Sequence, residues 1–441
     1  MRLLTRILIP ALLGGFAGVA SAQVQESGRG SSNLQPNFLI IIADDVGVDI
    51  PSAYAEGANP ACMPCLETLA SQGMLFRNAW AMTQCSPMRA SLLTGLYPYL
   101  HGIGEPAGNR AGLRRSHYIL PELLSRYDNT QIGKWHLAGN LGDDHPNNLG
   151  FFHYSGSLGG GVGDYFNWTK ITDGQSSNET NYATTVTTDE SITAVMTLQE
   201  PWLLITSYNA VHAPFHEAPS GLCPNCPGGF CGNLGPNPTT AEMLKSVAEA
   251  MDQEMSRLIA TVDAVASDNT FVFFIGDNGT PRGATEAPFI AGHAKGSLYE
   301  GGVNVPFVVR GPGVAPGTES AALISVVDVF NTLSELSGAG DTAEHSVSMV
   351  PYFSAPKMPS IREFVYAEKF SPVHDDLPFD EHTRAVRNGR FKLIRETGRP
   401  DELYDLRRDV WELNNLLPDL NANQQLNHDA LVAELVRMGV D

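Results

Sequence analysis

Phe38, Leu39, Ile40, Ile41, Ile42 and Ala43 form an unbroken apolar run that ends on two adjacent acids, Asp44 and Asp45. A run of strand length with no polar alternation fits a strand covered on both faces, the setting of a parallel sheet flanked by helices. The pattern returns at Phe271 to Ile275, where Gly276 leads into Asp277, Asn278 and Gly279. Shorter apolar runs at Trp202 to Ile205 and Phe307 to Val309 alternate with helical segments, including Ala241 to Ala266. Strands alternating with helices predict an α/β fold, with a largely parallel central sheet and helices on both faces.

At 441 residues the chain is long for one domain, and between Ser337 and Ser360 it turns rich in Gly, Ser and Pro. That shift predicts a main α/β domain at 36–340, a linker at 341–360 and a smaller α+β subdomain at 361–441. In the subdomain, Arg384 to Arg387 and Arg390 to Ile394 flank Asn388 and Gly389, a strong hairpin signal. Glu402 to Leu406 adds another short strand, so this part is expected to hold an antiparallel sheet. The alternating bases Arg384, Arg387, Arg390 and Lys392 read as a solvated strand face, with contact to an anionic substrate as the alternative. No internal repeat is present.

Arg2 and Arg6 precede an apolar stretch from Ile7 to Val19, followed by Ala20, Ser21 and Ala22. This is the pattern of a secretory signal at 1–22 cleaved near Ala22, with a polar linker at 23–35 and no membrane anchor. The protein is expected to be exported, to the periplasm or outside the cell. The 28 basic residues less the leader's two arginines leave 26 against 48 acidic ones. So acidic a surface disfavours nucleic acid and anionic membranes as partners.

Adjacent carboxylates at a strand end repel unless a cation lies between them, and hard divalent ions prefer oxygen ligands. Ligands of open α/β sheets gather beyond the carboxyl ends of the strands, so the two acidic loops are placed to share one metal. Taken singly, each loop reads better as a solvated turn.

Cys85, Ser86, Pro87, Met88 and Arg89 precede Ala90, Ser91, Leu92, Leu93, Thr94 and Gly95. Ser86 suits a helix cap, Pro87 the first helical position and Gly95 the end, which predicts a helix whose N-terminus favours an anion. This stretch resembles the signature of the type I sulfatases, of the alkaline phosphatase-like superfamily. Gly133-Lys134-Trp135-His136, the Tyr208 to Pro214 segment with His212, and Lys295 with Gly296 to Gly302 resemble further blocks of that family in the same order. Met88 departs from the usual pattern, which has a small residue there. The resemblance spans about residues 36–417.

The resemblance implies that Cys85 is oxidised by a formylglycine-generating maturation enzyme, and that the hydrated aldehyde is the nucleophile. It implies one calcium ion held by Asp44, Asp45, Asp277, Asn278 and modified Cys85, an all-oxygen set that disfavours zinc and leaves magnesium or manganese as other occupants. Arg89, Lys134 and Lys295 then stabilise the transferring group, His212 with Lys295 protonates the leaving oxygen, and His136 takes a proton when sulfate is expelled. The substrate implied is a sulfated small molecule or glycan. Two rivals stand beside sulfate ester hydrolysis: hydrolysis of phosphonate monoesters or phosphodiesters on the same fold, and sulfated-glycan binding without catalysis.

Conversion of Cys85 leaves five cysteines for disulfides, so one is expected unpaired. Cys62 and Cys65, and Cys223, Cys226 and Cys231, form two clusters that suit disulfides in an exported chain, with a zinc site as the alternative. The second cluster lies in a Gly/Pro-rich stretch from Ala218 to Pro238, read as a surface insertion.

Overall fold

A computed structural model describes residues 35–106, 112–371 and 379–439. The expected signal segment at 1–22, and the linker as far as Leu34, lie outside the described residues. Ten strands form the central sheet: β1 (Asn37–Ala43), β2 (Met74–Trp80), β3 (Asp128–Gly133), β4 (His153–Gly156), β5 (Trp168–Thr172), β6 (Gln175–Glu179), β7 (Trp202–Ser207), β8 (Thr270–Gly276), β9 (Phe307–Arg310) and β10 (Thr318–Ser325). They lie in the order β10-β2-β9-β8-β1-β7-β3-β4-β5-β6. β1 runs parallel to β7 and β8, β3 to β4 and β7, and β10 to β2. The sheet is largely parallel, as the runs predict, but β9 opposes both its neighbours and β5 both of its own. An apolar run such as Phe307 to Val309 reports burial and carries no direction.

Alternate residues of β1 enter different cores. Phe38, Ile40 and Ile42 pack with Met88 of helix Cys85–Thr94 and Phe330 of helix Asp328–Ser337. Leu39, Ile41 and Ala43 pack with Leu66 of helix Pro64–Gln72 and Met251 of helix Thr240–Val265. Burial on both faces explains the missing alternation in the sequence, and truncating Ile40 to alanine would cost about 2–5 kcal/mol. No helix among the described residues is long and apolar enough to cross a membrane.

A second sheet, antiparallel throughout, is built from β11 (Val365–Ser371), β12 (Glu381–Arg387), β13 (Phe391–Glu396) and β14 (Glu402–Asp405). Asn388 and Gly389 turn β12 into β13, as the hairpin signal predicts. Its Val386 and Leu393 join the core of Phe38, with Leu431 and Leu435 of helix Ala422–Arg437. The basic alternation does not form a solvated face. Arg387 and Lys392 are buried and paired with Glu300, Lys392 also with Glu412, and Arg390 pairs with Asp405.

The cysteines form disulfides, and the zinc alternative fails. Cys62 bonds Cys226 and Cys223 bonds Cys231, leaving Cys65 as the unpaired one beside Cys85. Neither C-x-x-C pair closes on itself, since the bond follows which chain segments meet and not how close two cysteines are in sequence. Both bridges staple the 218–238 stretch, whose only regular element is a short 3-10 turn, Ser220–Leu222.

Candidate active site

Four adjacent parallel strands bring the motifs to one edge. Lys134 and His136 follow β3, His212 follows β7, Asp44 and Asp45 follow β1, and Asp277 and Asn278 follow β8. Two of these residues adopt left-handed backbone angles rare for non-glycine residues, Asp45 at φ 64° and His136 at φ 59°. Such conformations gather where the surrounding structure over-determines a functional loop.

Helix Cys85–Thr94 begins two residues earlier than the capping pattern predicts. Gln84 occupies the cap without a side-chain bond, and Cys85 is the first helical residue. The Ser86 hydroxyl donates instead to the His136 carbonyl oxygen at 2.8 Å, tying the helix start to the β3 loop. Met88 is buried in the core, away from the acids, so the departure from the family pattern falls on a packing position. Gly95 ends the helix as expected, in the left-handed region at φ 68°.

Carboxylate oxygens of Asp44, Asp45 and Asp277 and the Cys85 Sγ all lie within 4.8 Å of one another, and all four residues are buried. The thiol donates to Asp44 Oδ1 at 3.3 Å, with Lys134 Nζ at 3.3 Å and Lys295 Nζ at 3.8 Å from the sulfur. Lys134 is paired with Asp44 and Lys295 with Asp45. Arg89 turns the other way: it donates to Asp277 Oδ2 at 3.0 Å, to the Lys134 carbonyl at 2.9 Å and to Ser207 Oγ. Its charge therefore acts through Asp277, while the two lysines face the sulfur.

Burial, then the neighbouring Asp277, pushes the Asp44 carboxyl up to about 6. Burial also opposes ionisation of Asp277, but Arg89, Lys134 and Lys295 outweigh it and hold that carboxyl well below the usual range. The Cys85 thiol is pushed far up by burial and by Asp277 and Asp44, so the plain thiol is a poor nucleophile here.

The donor set fits a hard divalent cation. Asn278 gives its amide to Asp45 Oδ1 at 2.8 Å and to the Gly279 carbonyl at 3.1 Å, yet its Oδ1 is buried with no hydrogen-bond partner. An orphaned acceptor beside three clustered carboxylates could serve as a cation ligand, and oxygen donors suit calcium or its hard relatives.

Both expected proton carriers flank this cluster. Burial, then Lys134 and Arg89, lowers His136 well below its ordinary pKa, which keeps the imidazole neutral, and its Nδ1 is buried with no partner. His212 Nδ1 lies 2.8 Å from the Ala213 carbonyl oxygen; a carbonyl only accepts, so Nδ1 carries a proton and Nε2 is left to exchange one. His293, near Lys295 in sequence, stacks on Tyr299 at 3.6 Å and bonds the Trp411 carbonyl, outside the cluster. Sequence reasoning missed Ser207 and the segment 157–166, which contacts both histidines. Its glycines at 159, 160, 161 and 163 were the only visible signal.

The family model described as Sulfatase matches residues 36–339, and one described as N-sulphoglucosamine sulphohydrolase, C-terminal, matches 292–439. The chain belongs to the sulfatase family. It is 28% identical to N-acetylgalactosamine-6-sulfatase of Rattus norvegicus over 348 residues, 69% of this chain and 62% of that protein. Arylsulfatase G of the same species is 28% identical over 393 residues, 76% of this chain and 71% of that one. The chain spans less than two thirds of the length of the N-acetylgalactosamine-6-sulfatases it matches. Among solved structures, Ps i-CgsB aligns at 25% identity and TM-score 0.77, covering 92% of both chains. A protein crystallised with its substrate D-glucosamine-2-N,6-O-disulfate shares the fold, with TM-score 0.73 at 19% identity over 92% of this chain and 97% of that one.

Proposed function

We propose that this chain is an exported sulfuric ester hydrolase that cleaves sulfate monoesters of saccharides or aryl alcohols to alcohol and sulfate. The observation that carries this reading is Cys85 at a helix start, its sulfur flanked by Lys134, Lys295 and Asp44 inside a buried acid cluster. Sγ marks where the oxygens of a hydrated formylglycine would stand, and that group supplies the nucleophilic hydroxyl a thiol with a raised pKa does not. Asp44, Asp45, Asp277, Asn278 and residue 85 would hold a calcium ion, which when bound polarises a sulfate oxygen and lowers the pKa of the attacking hydroxyl.

The chain's own residues divide the remaining work. Asp44, Asp45 and Asp277 balance Arg89, Lys134 and Lys295 in charge, so a divalent cation tips the site positive and makes an anion its complement. Lys134 and Lys295 face the transferring sulfate, while Arg89 keeps Asp277 ionised and in place. His212 delivers a proton from Nε2 to the leaving oxygen. His136, held neutral, accepts one when sulfate departs. N-acetylgalactosamine-6-sulfatase among the relatives, and a disulfated glucosamine bound to a neighbour of the fold, favour a saccharide as the alcohol. The leader expected at 1–22 and two disulfides support an oxidising compartment.

The test is sulfate release from aryl, alkyl and mono- to oligosaccharide sulfates by protein matured at Cys85, with matched aryl phosphonates alongside. Release from a sulfate ester, absent in Cys85→Ala, is expected. Faster turnover of phosphonate, or full activity with only thiol at position 85, would refute the proposal.

A further inference from the structure

Granting sulfate ester hydrolysis, two histidines carry protons, and one segment between β4 and β5, residues 157–166, touches both. On the β3 side, Trp135 N donates to the Ser157 carbonyl at 3.0 Å and His136 N to the Leu158 carbonyl at 3.1 Å. On the β7 side, Ser157 Oγ donates to Asn209 Oδ1 at 3.0 Å. The Tyr165 hydroxyl lies 2.7 Å from the Asn209 carbonyl oxygen and 2.8 Å from the His212 carbonyl oxygen, so its one proton is shared between the two ends of the turn that carries His212. Burial pushes the Tyr165 phenol far up, which keeps it a donor at any working pH. The ring is fixed in turn by His216, 4.4 Å away between centroids, and by the Ala183 N–H, which donates to the Tyr165 carbonyl at 2.9 Å.

Between these two anchors the chain crosses the imidazoles with bare backbone. A Cβ on Gly160 would stand 2.6 Å from His136 Nε2, and one on Gly161 would stand 2.9 Å from His212 Nδ1. Real Cβ atoms do not approach so closely, so a methyl at either position displaces a ring. Neither glycine has a positive φ in this structure; the reason for glycine is space alone.

We infer that Tyr165 is a positioning residue for His212, and that Gly160 and Gly161 form a side-chain-free wall that lets both imidazoles sit at working distance from the ester. The wall fixes where His212 Nε2 points, and hence how well it protonates the leaving oxygen. General acid catalysis contributes roughly 10²–10⁴-fold, and it matters most when the leaving group is a poor one.

That dependence supplies the test. In matured protein, Tyr165→Phe removes one oxygen and keeps the ring. We expect kcat/KM on an alkyl or saccharide sulfate to fall on the order of 10–100-fold, while 4-nitrophenyl sulfate, whose leaving group departs without a proton, loses less than about threefold. Gly161→Ala should repeat the pattern. Gly160→Ala should instead lower kcat by the same factor on both esters, because His136 serves a step common to all of them. Equal losses on the two esters from Tyr165→Phe, or none, would overturn the assignment. A wild type inert on both would sink the sulfatase reading itself, which distinguishes the two failures. A second measurement avoids turnover: in thiol-bearing protein, carbethoxylation of His212 followed by mass spectrometry should speed up several-fold in Tyr165→Phe, and an unchanged rate would also overturn the assignment.

Discussion

Two of the buried ion clusters among the described residues differ in a way that says more than either alone. The first joins Asp44, Asp45 and Asp277 with Arg89, Lys134 and Lys295 at the ends of parallel strands. The second joins Glu300 and Glu412 with Arg387 and Lys392, where the antiparallel sheet meets the Lys295 block. Each contains one lysine wholly withdrawn from water, Lys134 and Lys392. In the second, acids and bases match one to one, Trp80 covers the Lys392 ammonium at 4.9 Å, and Glu412 accepts from the Glu300 N–H at 2.5 Å. Left-handed backbone occurs in both, at Asp45 and at Glu412, but the first alone of the two has an orphaned amide oxygen and a thiol between cations. Buried charge by itself therefore does not mark a reactive site. What sets the first apart is an orphaned acceptor lying among clustered carboxylates, since desolvating polar groups without partners costs stability unless a ligand satisfies them.

The sharpest way to break this contrast is to remove a central residue from each cluster. Cys85→Ala should lower sulfate release on the order of 10⁴-fold or more in a discontinuous sulfate assay, with the melting temperature nearly unchanged. Lys392→Met should do the reverse: stability falls by about 3–5 kcal/mol in denaturant unfolding, because Glu412 loses its partner, while kcat stays within about tenfold. Comparable activity losses in the two variants would erase the distinction. Calcium provides a gentler probe. At about a hundredfold excess over its dissociation constant it should stabilise the protein by about 2.7 kcal/mol in thermal melts, and Asn278→Ala should weaken that response roughly tenfold in concentration. No response in wild type would remove the metal from the first cluster.

The smallest expected effect is a pH slope on the second cluster. Burial, opposed by Lys392, raises Glu412 from 4.5 to about 7. A carboxyl raised on folding contributes stability that is complete below its unfolded pKa and is lost as pH climbs through the folded one, here between about 4.5 and 7. Glu412→Gln should therefore gain on wild type by roughly 1–2 kcal/mol between pH 5 and pH 8 in paired unfolding curves. A constant gap across that range would show that Glu412 stays ionised throughout.

Much of this is legible in the amino-acid sequence. Six consecutive apolar residues at Phe38 to Ala43 meant a strand buried on both faces, and Asn388-Gly389 meant a hairpin, because both signals depend on neighbours in sequence. The directions of β9 and β5 were not legible, since burial is indifferent to polarity of the chain. The basic alternation at Arg387 and Lys392 misled because period-two spacing places residues on one face of a strand without saying what covers that face. Glu300 and Glu412, which cover it, arrive from elsewhere in the chain.

The sequence alone determined the chemistry on offer: a cysteine with proline and arginine beside it, acids closing two apolar strands, and lysines and histidines in a fixed order. These are local properties, written in residue type and spacing. Only the tertiary structure decided which groups meet. It joined Cys62 to Cys226, turned Arg89 toward Asp277, left Asn278 Oδ1 without a donor and laid Gly160 and Gly161 across two imidazoles. The physical reason is that such contacts close loops of tens to hundreds of residues, and their geometry is set by the packing of the whole sheet and not by any one stretch of chain.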